Sequence, residues 1–126
     1  MNALADTSVL VDYLREVEAA RQLIRPVLAA GDVVAGSVHT RLELLIGARR
    51  SERRRTDALL AAIRWLPVDE QVAEQADLLA HRYGWSHSGI DAVDYCVAAT
   101  AQVHGLELWA LNVRHFPMVP GLRSPW

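Results

Sequence analysis

Short apolar runs alternate with longer helical stretches along this chain, and that alternation constrains the fold more than any other feature. Asn2–Ala5 is apolar and runs into Asp6-Thr7-Ser8, the signature of a strand ending at a helix cap. Val9–Arg15 reads as a short helix and Glu18–Ala30 as a longer one stopped by Gly31. Asp32–Ala35 reads as a second strand, with Gly36 and Ser37 as turn and cap. Val38–Arg50 carries Val38, Leu42, Leu45 and Ile46 at helical spacing, and Ser51–Trp65 carries Leu59, Leu60 and Ile63. Leu66-Pro67-Val68 suits a minimal edge strand, because proline lacks the amide an inner strand needs. Helices follow over Glu70–Tyr83, closed by Gly84, and over Asp91–His104, closed by Gly105. Leu106–Leu111 reads as a buried strand and Asn112–Phe116 as one helical turn before a proline-rich tail. Strands separated by helices predict an α/β sandwich with a short, mainly parallel central sheet. A length of 126 residues predicts a single domain spanning 1–126.

Composition removes several classes of function. All 13 basic residues are arginine, so lysine Schiff-base chemistry, a lysine general base and a Walker-type phosphate loop are excluded. The formal net charge of −2 argues against bulk attraction to nucleic acid, so such contact needs a local patch. Cys96 is the single cysteine, which rules out an internal disulfide and fits a reducing compartment. Asp6 and Asp12 interrupt the apolar N-terminus, and no apolar run approaches membrane-spanning length. The expectation is a cytoplasmic protein without a membrane partner.

In a parallel sheet, ligands gather beyond the carboxyl ends of the strands. Asp6 ends the first strand and Asn112 follows the last, so both belong to one edge. Taken alone, Asp6 reads first as a cap and Glu43 as a solvated helix residue. Gly47, one turn beyond Glu43, costs its helix about 1 kcal/mol against alanine. It is either a packing choice or room for something bulky beside Glu43. Asp94 is more telling, because Ile90, Val97, Ala98 and Ala101 place it on the apolar stripe of its helix. A buried carboxylate needs a partner, a proton or a metal, and no arginine lies within one turn. Asp91 stands one turn before it. Several acids at one strand-end site repel each other, and a hard divalent cation, Mg2+ or Mn2+, relieves that repulsion. Such a cation also binds phosphate oxygens and activates water.

Arg49, Arg50, Arg53, Arg54 and Arg55 follow directly on the segment with Glu43. Arginine holds phosphate through paired hydrogen bonds, which makes Arg49, Arg50 and Arg53 candidates for phosphate contacts. The cluster equally reads as a solvated face pairing with Glu52 and Asp57, or as a contact for an acidic protein. His39, His81, His87, His104 and His115 show no metal-ligand spacing.

Four segments, Ala5–Leu14, Leu42–Gly47, Asp94–Ala101, and Asn112–Phe116 with Pro120-Gly121-Leu122, together resemble the PIN domain family, and within it the VapC-type toxins of bacterial toxin–antitoxin pairs. The resemblance implies a PIN-like α/β/α sandwich and an Mg2+-dependent endoribonuclease leaving 5′-phosphate and 3′-hydroxyl ends. It implies that Asp6, Glu43 and Asp94 bind the metal, that Asp91 and Asn112 surround the same site, and that Ser8 supports Asp6. It also implies a homodimer and a small cognate antitoxin that covers the groove. Two positions depart from the family: Asn112 stands where an acid is usual, and Ala110 where threonine is frequent. Two alternatives remain open from the residues. One is a PIN-like module that binds RNA or protein without cutting. The other is a signalling receiver domain, which expects paired acids and a lysine that this chain lacks.

Overall fold

The computed structural model describes residues 2–126. The elements are β1 (Ala3–Ala5), α1 (Thr7–Leu14), α2 (Glu18–Ala29), β2 (Val34–Ser37), α3 (Val38–Gly47), α4 (Arg53–Ala62), β3 (Arg64–Leu66), α5 (Glu70–Tyr83), α6 (Ala92–His104) and β4 (Glu107–Trp109). Single 3-10 turns lie at Arg50–Glu52 and Val113–His115. The strands form one sheet in the order β3-β2-β1-β4, and every neighbouring pair is parallel.

Alternation along these short strands builds the two cores. Leu4, Ala35, Leu66 and Leu108 point to one face, where α5 and α6 cover them with Val72, Leu79, Val97 and Ala98. Ala3, Ala5, Val34 and Trp109 point to the other, under Val9, Leu10, Ile24, Leu44 and Leu59 of α1 to α4. A strand buried on both faces reads as an unbroken apolar run, which is what a parallel sheet between helix layers requires.

The structure corrects three local expectations. The expected helix over Val38–Arg50 ends at Gly47, where Ala48 turns to extended backbone (ψ 129°). The chain then re-enters a 3-10 turn in which Glu52 Oε1 accepts the Arg49 N–H at 3.3 Å. Within α3 the inward side is Thr40 and Leu44, while Leu42 and Ile46 are 57% and 77% exposed. The Thr7 hydroxyl, 3.1 Å from Thr40 Oγ1, ties Thr40 inward, so α3 is rotated away from its most apolar stripe. Finally, Gly36 lies inside β2, not in a turn, and Trp65 belongs to β3, not to a helix. A Cβ on Gly36 would collide with the Trp65 ring, and the Trp65 indole N–H donates to the Leu60 carbonyl at 2.9 Å.

Candidate active site

β1 sits between β2 and β4, so the chain switches direction across the sheet at the β1–β4 boundary. The crevice outside such a point is where parallel α/β sheets place ligands. Asp6 leaves β1 there with its amide bonded to the Trp109 carbonyl at 2.8 Å, which fixes the start of α1 against the end of β4. A cleft of about 280 Å3 opens at this edge, lined by Asp6, Thr7, Ser8, Glu43, Asp91, Asp94, Asn112 and His115. Six positions singled out from the sequence (Asp6, Ser8, Glu43, Asp91, Asp94 and Asn112) therefore share one surface.

Local bonds aim each of these side chains. Ser8 Oγ accepts the Leu111 amide at 3.2 Å and donates to Asp6 Oδ2 at 3.1 Å. Its single proton is thereby used, and Asn112 Oδ1 stands 3.5 Å away. Thr7 Oγ1, held against Thr40, lies 3.3 Å from Glu43 Oε1, so the bond that rotates α3 also turns Glu43 toward the cleft. At the start of α6, Asp91 Oδ1 accepts the Asp94 amide at 3.0 Å and Asp94 Oδ2 accepts the Asp91 amide at 3.2 Å. This reciprocal cap satisfies orphan donors of the first turn and holds both carboxylates at the helix N-terminus, where negative charge is favoured.

Two of these acids are buried, Asp6 at 7% and Asp94 at 8% exposure. Burial raises the Asp6 pKa above the ordinary carboxylate value of 3.8. The Ser8 hydroxyl and the nearby Thr7 and Ser8 amides oppose that rise, although Asp6 makes no full capping bond. Burial likewise raises the Asp94 pKa, reinforced by the charges of Asp91 and Asp6 and opposed by the Asp91 amide and His115. No arginine lines the cleft. Among the described residues, the basic side chain facing the acids there is His115, whose Nδ1 is 3.3 Å from Asp94 Oδ2 and 3.2 Å from Asn112 Nδ2. His115 is a site residue that metal-ligand spacing does not reveal. The available signal was the Asn112-x-x-His115 step, which in a single turn puts both side chains on one side.

Every acid in the cleft offers oxygen, as does the Asn112 carbonyl, and that is the donor type hard divalent cations take. Among the described residues, however, no three His, Cys, Asp or Glu side chains form a ready-made metal-binding group. The donor chemistry fits such a cation; the carboxylates line the cleft without closing on one point.

The arginines lie elsewhere. Arg53 pairs with Asp57 at 3.0 Å, Arg55 with Glu16 at 3.2 Å and Arg49 loosely with Glu52 at 4.0 Å. The pairing with Glu52 and Asp57 weighed from the sequence is thus present, though such exposed pairs contribute little. Arg50 carries no ion pair among the described residues.

Comparison with known proteins agrees with this architecture. The PIN domain sequence pattern matches residues 3–116. The chain is 45% identical over 123 residues to Ribonuclease VapC19 of Mycobacterium tuberculosis, covering 98% of each. It is 42% identical over 123 residues to Ribonuclease VapC10 of the same organism, covering 98% of this chain and 92% of that one. Among solved structures, a toxin–antitoxin complex from Klebsiella pneumoniae superposes with a TM-score of 0.82 at 29% identity, covering 98% of both chains. DNA-bound VapBC from Salmonella typhimurium superposes with a TM-score of 0.82 at 19% identity, over 98% of this chain and 96% of that one. The chain belongs to the PIN domain family.

Proposed function

We propose that this protein is an Mg2+-dependent endoribonuclease and the toxin of a toxin–antitoxin pair. The observation that carries the reading is the pair of buried carboxylates, Asp6 and Asp94, sharing one solvent-open cleft with Glu43 and no arginine. Such an arrangement raises the free energy of the cation-free protein and favours any hard cation that enters. Asp6, Glu43 and Asp94 would hold Mg2+ or Mn2+, with Asp91 and the Asn112 carbonyl beside them. Bound there, the cation supplies positive charge that lowers the pKa of a water and offsets charge on phosphoryl oxygens.

The chain's own groups do the rest. Ser8 orients Asp6, Thr7 orients Glu43, and the Asp91 amide orients Asp94. The Asn112 amide is neutral and presents a hydrogen-bond donor as well as an oxygen. Arg49, Arg50 and Arg53 stand beyond Glu43 in the chain and would contact flanking RNA phosphates. Names of the relatives above support ribonuclease activity, and the toxin–antitoxin assemblies among the structural matches support an antitoxin partner. A groove of about 210 Å3 between α1, α2 and α4, with Tyr13, Leu14, Leu28 and Leu59 at its base and Arg21, Arg25 and Arg55 at its rim, suits an amphipathic partner helix. The exposed Leu42 and Ile46 suit a second copy of this chain in a homodimer. Among the described residues no helix is long and apolar enough to cross a membrane. An RNA substrate would put the protein in the cytoplasm.

A second reading, a PIN-like module that binds RNA or protein without cutting, is favoured by the absence of a ready-made three-ligand group among the described residues. Incubation with a mixed-sequence oligoribonucleotide in Mg2+ and in EDTA separates the two. Mg2+-dependent scission with 5′-phosphate ends supports the enzyme; RNA bound intact in Mg2+ supports the module.

A further inference from the structure

A second groove opens beside the acid cleft, bounded by α1, α3 and the start of α4. It encloses about 380 Å3, inside the range of roughly 300–1,000 Å3 usual for small-ligand sites. Glu43 lines both it and the acid cleft, so the two spaces adjoin at that side chain. Val11, Leu14 and Leu44 give it an apolar wall and Gly47 a bare one, while Arg15 and Arg49 share its charged lining with Glu43 and Glu52. The Gly47 backbone is helical, and a Cβ there would meet nothing within 4 Å. A long side chain at this last residue of α3 would narrow the groove that Gly47 lines. Arg15 has no ion pair among the described residues, so its guanidinium can take a phosphate, whereas Arg49, 4.0 Å from Glu52, would have to exchange that loose pair for one.

We propose that this groove seats the nucleotide next to the cleaved phosphodiester bond, with its base against Val11, Leu14 and the Gly47 backbone and its phosphate held by Arg15 and Arg49. The proposal rests on the ribonuclease reading and adds where the strand runs. Covering a base face with Val11 and Leu14 removes apolar area from water, and arginine pairs with the phosphate. Width at Gly47 then sets which bases enter.

The test measures anisotropy of a labelled oligoribonucleotide with Asp94→Asn protein in Mg2+, alone and combined with Gly47→Leu or Arg15→Ala. Each added change is expected to weaken binding about tenfold with the melting temperature preserved. Arg15→Ala should also lower the salt dependence by about one phosphate contact. Because Arg15 is exposed, that variant keeps the test valid if Gly47→Leu does not fold. Affinity within twofold of the parent overturns the proposal. So does a result in which only a cognate antitoxin peptide loses affinity, since the groove then belongs to that partner. If the groove variants lose RNA but the unmutated protein never cleaves it, the ribonuclease reading fails and the subsite stands.

Discussion

Asp94 holds the first turn of α6 through the Asp91 amide while its burial penalises the charge. Asparagine keeps the accepting oxygen and removes that charge. Asp94→Asn is therefore expected to lower RNA cleavage on the order of 10²–10³-fold or more, while raising stability without Mg2+ by on the order of 1 kcal/mol, roughly 3–5 °C in Tm. The sign with pH follows from the raised pKa. The folded state binds the proton more tightly than the unfolded one. Stability is thus full below the ordinary carboxylate value of 3.8 and is lost as pH rises through the raised folded value. Urea unfolding in EDTA should show the advantage of Asp94→Asn at pH 7 shrinking as pH falls through the raised folded value and gone below the ordinary value of 3.8. At this scale the site was legible where chemistry conflicts with pattern, as with a carboxylate on an apolar helix stripe. Thr7 and His115 were not, because their roles depend on contacts with Glu43 and Asp94, 36 and 21 positions away.

Among the elements, α3 shows why periodicity alone misleads. Its apolar stripe includes Leu42 and Ile46, yet the buried face is Leu44 with Thr40, which meets Thr7, and that orientation leaves the stripe outward and Glu43 at the cleft. Thr40→Val preserves shape and removes the partner hydroxyl. Its expected cost is about 1 kcal/mol, read by urea denaturation, together with a loss of cleavage larger than the stability change explains. At β2 the tight fit is Gly36 against Trp65. Gly36→Ala forces the indole aside and should cost about 1–3 kcal/mol, seen as a lower urea midpoint with an unchanged slope. The helices α5 and α6 were legible almost to the residue, because Asp69 and Asp91 cap them and glycines follow them. The strands were not, since three or four residues leave their ends to be set by neighbours rather than by their own pattern.

For the whole molecule, the alternating order of elements made the parallel sheet legible, whereas the strand order β3-β2-β1-β4 came only from the structure. That order gathers acids from the segments after β1 and β2 and from the α6 N-terminus, with Asn112 after β4, at one edge. If they share a cation, folding and metal binding are linked. Mg2+ at a hundredfold excess over its Kd is expected to add about 2.7 kcal/mol of stability, reversed by EDTA, and Asp6→Asn with Asp94→Asn should abolish that gain. The most direct measurement is cleavage of an end-labelled oligoribonucleotide in saturating Mg2+ by the native chain and by folded Asp94→Asn. Scission by the native chain, absent in EDTA and lost in the variant, is the outcome this account predicts. Equal scission by both proteins, or undiminished scission in EDTA, contradicts it.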